Sequence, residues 1–503
     1  MPTLQELKDK WFISESTVFI EADDNPPLNV PVTFADLGLN FRHPGSTLVN
    51  HTDSNEITIL GEGDTYMGMW YDLITRPDIT TVYNTNWRID NVLTKSAVPT
   101  STALDTLIQV SSGTASVYQF VDGNKLSIDT NILSNRTLNA GGVISTRDFR
   151  FPVNGSNHQK FMVAKTDTSG WALVGSIDIS VNRLDDHTHS GNFDDITHDF
   201  GVLVEGPAVA DIEKTFVERW NDSSRSRNWP FEAIDPDQPL ITEPIGTYPP
   251  VGSHSVQVLR TYGVGKYSYS WADAPGEGEF SIWASTLNAI KKAETYIYIE
   301  DQTFLTFAWP ACCDIMFNPS ARVTDLVYQL GEALKRGVRV GIILSKKGSN
   351  PSETFQRHYS LNFLSAIASA HGSNFFVGSL DNGSEVIYVH SKMFMVDDEF
   401  ALIGSANFDQ RSMCHDGEIK VGIVDENNLF VKNLRSMLYQ EHSQQPATDF
   451  DDPIIAFNNM KSYVLAGTGR LRNYDFSYLS EPYGHASAVN NIGWPYAGPL
   501  NLR

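Results

Sequence analysis

The chain has 503 residues, of which 41% are hydrophobic and 11% aromatic. That length suits two domains of roughly 200–250 residues, and that composition supplies large cores, which excludes a disordered chain. The formal net charge of −23 weighs against a nucleic-acid partner, because binding a polyanion needs a basic footprint to release counterions.

The first residues, from Met1 to Pro27, carry no positively charged segment followed by a long apolar one. No window approaches the 18 uninterrupted apolar residues of a membrane span. A soluble chain is expected, with secreted and cytoplasmic settings both open. A helix near Tyr66–Ile74 precedes a strand at Ile79–Tyr83. A second helix at Ala103–Val110 precedes a strand at Ser116–Val121, and a strand pair surrounds His158. Ser223–Ser253 holds six prolines. Proline lacks an amide donor and restricts its predecessor, so this stretch reads as an extended connector. The expected units are therefore an N-terminal lobe at 1–222, the connector at 223–253 and a C-terminal lobe at 254–503.

In the second half, Trp283, Leu287, Ile290 and Ala293 mark a helix before the strand Tyr296–Ile299. Val323, Leu326, Val327, Leu330 and Leu334 mark another before the strand Val338–Leu344. Val386–Val396 and Phe400–Ile403 read as strands paired around Asp397-Asp398-Glu399. The alternation predicts an α/β fold of two similar lobes, each a mixed sheet flanked by helices, arising from an internal duplication. Cys312, Cys313 and Cys414 make no disulfide framework in a chain this long, and read as small buried residues.

The chemistry is concentrated in His390-Ser391-Lys392, followed by Asp397 and then Gly404-Ser405-Ala406-Asn407. On one continuous strand, His390 and Lys392 would share a face. A nucleophilic imidazole beside a fixed ammonium suits attack on phosphorus bearing anionic oxygens. The pattern recurs as His158-Gln159-Lys160, then Lys165 and Gly175-Ser176-Ile177-Asp178.

These two stretches resemble the phospholipase D superfamily, whose signature, His-x-Lys-x4-Asp, occurs twice. Similarity extends to Thr197-His198-Asp199-Phe200, Gly206-Pro207, Tyr298-Ile299-Glu300-Asp301-Gln302, Arg411-Ser412-Met413, Glu418-Ile419 and Glu441-His442, across about residues 60–455. The resemblance implies a monomer with its active site at a pseudo-twofold lobe interface and a phospholipid substrate at a membrane or micelle surface. It implies His158 as nucleophile and His390 as general acid and base, with Lys160 and Lys392 on the phosphate. Ser176, Asp178, Ser405 and Asn407 are candidate phosphate-binding residues. By position Asp199 would orient His158 and Glu418 would orient His390, with Asp397 completing the second motif. No cofactor is required, although calcium stimulation is left open.

Lys165 departs from the signature, since it cannot accept the hydrogen bonds that the motif aspartate would. His187, His189 and His198 lie in an Asp-rich segment that resembles a metal site but reads more simply as a solvated loop. Phe304–Cys313 and the aromatic tail Tyr463–Tyr496 are candidates for lipid contact or packing. The expected activity is that of a phospholipase D, releasing phosphatidic acid through a phosphohistidine, with transphosphatidylation. Alternatives are a nucleic-acid or other phosphodiesterase, cardiolipin or phosphatidylserine synthase, and a phospholipid-binding pseudoenzyme.

Overall fold

The computed structural model describes residues 2–19, 33–37, 40–43, 46–92, 102–123, 128–148, 156–190, 196–222, 238–262, 278–305, 325–346, 351–414 and 416–474. Most of the Phe304–Cys313 stretch and the tail beyond residue 474 lie outside these residues.

Two sheets, each built on seven equivalent strands, organise the chain. The first contains β1 (Thr52–Gly61), β2 (Thr81–Asn86), β3 (Ser116–Asp122), β4 (Ile144–Asp148), β5 (Phe161–Lys165), β6 (Gly170–Gly175) and β7 (Phe200–Glu205). The second contains β8 (His254–Tyr262), β9 (Tyr296–Asp301), β10 (Arg339–Leu344), β11 (Phe375–Asp381), β12 (Lys392–Val396), β13 (Phe400–Gly404) and β14 (Glu418–Asp425). The spatial order of the first is β1-β7-β6-β5-β2-β3-β4. That of the second is β8-β14-β13-β12-β9-β10-β11. Each strand n of the first sheet thus corresponds to strand n+7 of the second, with the same three parallel strands on one side and antiparallel pairing on the other. The duplication expected from the motifs is present throughout the topology.

The connections repeat as well. Helices Gly63–Ile74, Ala103–Ser111 and Ile128–Ala140 follow β1, β2 and β3, whereas Ser281–Lys292, Leu326–Lys335 and Pro351–His371 follow β8, β9 and β10. Crossovers of this kind are what parallel strands require. After the last strand of each sheet come Ala208–Asn221 and Leu429–Ser443. The sheets meet edge to edge, β1 pairing antiparallel with β8 at Thr52–Val256 and Asn55–His254.

Strand alternation distributes the core. On β5, Phe161 and Val163 enter a central cluster shared by the lobes, while Met162 and Ala164 face the outer helices of the first lobe. On β12, Met393 and Met395 face the centre, and Phe394 and Val396 the outer cluster of the second lobe. Burial on both faces is why these strands read as unbroken apolar runs.

Two expectations are corrected here. Helix Leu4–Trp11, placed in the first lobe by chain position, packs on the second: Trp11 stacks on Phe400, and its indole N–H donates to Glu399. The described part of the connector is tethered to the first lobe: Asn221 exchanges two hydrogen bonds with Ile241 and Trp220 donates to the Pro239 carbonyl. The single strand expected over Val386–Val396 is two, Val386–Val389 and Lys392–Val396. His390 and Ser391 both donate their amides to the His198 carbonyl, at 2.8 and 3.1 Å, which diverts the chain between them. His390 and Lys392 therefore do not owe their proximity to strand alternation. Among the described residues, no helix is long and apolar enough to cross a membrane.

Candidate active site

Each motif histidine sits immediately before a central strand, His158 before β5 and His390 before β12. The His158 amide donates to the Gly417 carbonyl at 2.9 Å, and the His390 amide to the His198 carbonyl at 2.8 Å. Gly417 and His198 each precede the carboxylate that serves the imidazole. His158 Nδ1 lies 2.8 Å from Glu418 Oε1, and His390 Nδ1 lies 2.8 Å from Asp199 Oδ2. The pairs are crossed between lobes, so the expectation that Asp199 serves His158 and Glu418 serves His390 is corrected. The reason is topological: Asp199 precedes β7 and Glu418 opens β14 at the interface, where the imidazole each meets belongs to the other lobe.

Both Gly-Ser turns support this crossing. Ser176 donates to Asp199 and Ser405 to Glu418, while the amides of Phe200 and Ile419 donate back to these hydroxyls at 3.3 and 3.1 Å. Ser176 and Ser405, expected to bind phosphate, instead hold the orienting carboxylates. The preceding glycines permit the approach: a Cβ on Gly175 would collide with the Phe200–Gly201 backbone, and one on Gly404 with the Ile419 carbonyl.

The lysines converge on the same space. Lys160 Nζ donates to the His158 carbonyl at 3.0 Å; Lys392 Nζ donates to the His390 carbonyl at 2.6 Å and to Gln302 Oε1 at 3.1 Å. Both lysine side chains are buried. Burial, joined by Lys160 and Arg183, lowers the Lys392 pKa to about 7 against the opposing pull of Asp199 and Asp301. Burial is also the chief reason both imidazoles sit well below the usual histidine range. Lys160 and Lys392 add to the effect at His158, and Arg183, Lys392, Lys160 and His158 add to it at His390. A neutral imidazole whose Nδ1–H points at a carboxylate presents Nε2 as a lone pair. The Glu418 carboxyl is itself pushed upward by burial.

A model of the family described as "Cardiolipin synthase, PLD-like domain" matches residues 286–440. Phospholipase D1 from Cricetulus griseus is 25% identical over 321 residues, covering 51% of this chain and 29% of that protein. Phospholipase D alpha 1 from Cynara cardunculus is 25% identical over 431 residues, covering 64% and 53% respectively. These matches identify residues 286–440 as a PLD-like domain similar to those of the phospholipases D. The chain spans at most about half the length of these two relatives. A solved phosphatidylserine synthase from Haemophilus influenzae Rd KW20 shares the fold, with a TM-score of 0.50 at 16% identity, covering 82% of this chain and 93% of that one.

Within this architecture, two further residues take places the motif did not predict. Asp397 lies at the β12–β13 turn, where it accepts the amides of Glu294, Thr295 and Tyr296 at 2.8–2.9 Å. It anchors the entrance to β9 and touches neither histidine, so its catalytic assignment is corrected. Asp178 accepts the Arg88 amide at 3.1 Å and lies 3.6 Å from Lys160 Nζ. With the Arg88 amide and the Lys160 ammonium as its neighbours, Asp178 is placed to position Lys160 rather than to grip the substrate. Asn407, its counterpart, is buried with its side-chain oxygen unpartnered.

Lys165, the departure from the signature, forms a buried ion pair with Glu213 at 2.5 Å, and Tyr248 donates to the same carboxylate. The second lobe places Arg435 of the corresponding helix against Asp398 at 2.6 Å. The polarity of the turn-to-helix pair is inverted between lobes, and the first histidine's surroundings are untouched by it.

Sequence reasoning missed Arg183, whose Nε lies 3.7 Å from Asp199 Oδ2 and has no hydrogen-bond partner. Its signal was Arg411, six residues after Ser405 as Arg183 is seven after Ser176. Gln302, the partner of Lys392, lay in a segment already noted for its resemblance but was not singled out. His189 and His198, expected in a solvated loop, are buried. His187 lines a surface cavity.

Proposed function

We propose that the chain is a phospholipase D that cleaves the headgroup phosphodiester of glycerophospholipids, acting as a monomer at a lipid surface. The observation that carries this reading is the crossed pair of carboxylate-held imidazoles with both lysines between them. His158 Nε2 attacks phosphorus, forming a P–N bond as the bond to the headgroup oxygen breaks. His390, which takes up a proton at Nε2 from solvent as the anionic phosphodiester binds, gives that proton to the departing alkoxide. Lys160, Lys392 and Arg183 face the oxygens on which charge develops. Water then attacks, His390 takes its proton, the P–N bond breaks, and phosphatidic acid leaves. The His158 side chain is 13% exposed against 3% for His390, which favours His158 as the attacking group.

The −23 charge and the names of the similar proteins support a lipid over a polynucleotide. No metal is required in this scheme, because lysines and an arginine supply the positive charge. The test is incubation with phosphatidylcholine vesicles and ethanol, with single-stranded DNA in parallel. Phosphatidylethanol and phosphatidic acid are the expected products; cleavage of DNA with untouched lipid overturns the reading.

A further inference from the structure

Behind Asp199, four donors from three distant segments converge: Glu62 at the end of β1, His189 and His198 in the segment before β7, and Glu441 on the last turn of helix Leu429–Ser443. His198 Nδ1 lies 3.3 Å from Glu441 Oε1. His189 Nε2 lies 3.4 Å from the same oxygen and 3.6 Å from Glu62 Oε1. Tetrahedral zinc with bonds of about 2.0–2.1 Å separates its donor atoms by about 3.3 Å. Three of the measured separations match that edge length. The fourth, His198 Nδ1 to Glu62 Oε1, is 2.5 Å and must open on loading.

The outer contacts have the form that metal-bound histidines use. A ligating imidazole donates its second N–H to a carboxylate, which fixes the ring and its tautomer. His189 Nδ1 lies 2.8 Å from Asp185 Oδ2, and His198 Nε2 lies 2.8 Å from Glu300 Oε2. Each histidine therefore turns its remaining nitrogen toward the cluster. Glu300 is in turn held by His442 Nε2 at 2.7 Å. A cavity of about 800 Å³ lined by Gly61, Glu62, Thr65, Gln440, Glu441 and Arg470 reaches two of the donors from the surface. Two carboxylates and two neutral imidazoles also balance a divalent charge.

We propose that Glu62, His189, His198 and Glu441 form a structural site for a divalent transition ion of the zinc class, separate from the two catalytic histidines. Nitrogen and oxygen donors in a tetrahedral arrangement suit zinc better than calcium, which takes six to eight oxygens. The site joins the lobes, since Glu441 belongs to the second and the other three ligands to the first. It also fixes the carboxylate that serves His390, because the Asp199 amide donates to Glu62 Oε2 at 3.1 Å and Asp199 follows His198 directly. The rival reading is a metal-free network of imidazolium–carboxylate pairs.

The full chain is stripped with chelator, loaded with zinc, dialysed, and its metal content measured. One zinc per chain is expected, with a rise in Tm over the stripped protein. X-ray absorption should show nitrogen and oxygen ligands that include two imidazoles. His189→Ala and Glu62→Gln should lose the ion, while a His158→Asn/His390→Asn double variant keeps it. No stoichiometric zinc in the wild-type chain, or retention in His189→Ala, overturns the proposal, as does loss in the double catalytic variant. If His189→Ala fails to fold, the metal content and absorption spectrum of the double catalytic variant decide between site and network.

Discussion

The two lobes share strand order, crossovers and motif placement, yet differ at the seventh position after each histidine. In the second lobe Asp397 and Asp398 both adopt φ of 57°, in a tight turn that closes with the Glu399 amide on the Val396 carbonyl. Aspartate tolerates that left-handed conformation better than most residues, and from there Asp397 reaches three amides of the incoming strand. In the first lobe the hairpin is longer: Thr166 and Ser169 close it, and Lys165 stays in the strand, paired with Gly170. The difference separates two functions of the signature. Histidine, lysine and the crossed carboxylate meet at the lobe interface in both halves, whereas the seventh residue holds only the scaffold of its own lobe.

The largest effect should come from removing either imidazole. His158→Ala and His390→Ala are each expected to lower kcat on phosphatidylcholine by about 10³-fold or more; a His158→Ala enzyme with normal turnover would refute the two-histidine scheme. The crossing itself is tested by the leaving group. Asp199→Asn should impair His390, costing about 10²–10³-fold on phosphatidylcholine, and much of this should return with a p-nitrophenyl phosphodiester, whose departing oxygen needs no proton. Glu418→Gln impairs His158 and should show no such recovery. If recovery follows Glu418→Gln instead, the assignment of nucleophile and acid is reversed.

A smaller effect is expected from pH. Lys392 loses its proton at about 7, so kcat/KM should decline above that value, falling at most tenfold per unit for one group. Because the His158 pKa is lowered, its imidazole stays neutral and nucleophilic below pH 6.5, and activity should persist there. Stability has the opposite dependence. Two imidazoles with depressed folded pKa values leave the unfolded chain holding more protons below about 6.5. Their contribution is complete above that pH and erodes as pH falls toward the folded values. His189 and His198, whose pKa values are raised, contribute in the opposite direction. The effect is therefore read as the difference in denaturation midpoints across pH 5–8 between the wild type and a His158→Asn/His390→Asn variant.

The smallest effect on catalysis should be at the divergent position. Lys165→Ala breaks a buried ion pair and is expected to cost about 3 kcal/mol, at the low end because Tyr248 and Gly246 still donate to Glu213, with kcat changed only a few-fold. Lys165→Asp restores the signature yet faces Glu213 with a like charge, and should destabilise more than alanine in urea unfolding. A gain in activity from Lys165→Asp would return this residue to the catalytic machinery.

Much of the second lobe was readable because its strands are apolar on both faces and its helices carry regular apolar stripes. β1 was missed: Thr52-Asp53-Ser54-Asn55-Glu56 opens it without an apolar run. Helix Ile128–Ala140 was missed because its apolar residues form no continuous stripe. The two His-x-Lys pairs that the structure brings together were legible from the repeat of the motif. Their orienting partners were named but mismatched, since His158 and Glu418 are 260 residues apart and no local pattern records which lobe supplies a partner. His198 looked solvated because its neighbours are polar; its burial depends on Glu62 and Glu300, more than 100 residues away on either side.

The exchange of carboxylates between lobes bears on how the duplicated halves were free to drift apart. Each half holds the other's imidazole, so a change at Asp199 or Glu418 damages a motif encoded elsewhere in the gene and cannot be repaired locally. The Lys165–Glu213 pair lies within one half, and its two members could exchange sign without consulting the other copy. Divergence is therefore expected inside each lobe, and identity of chemistry at the seam.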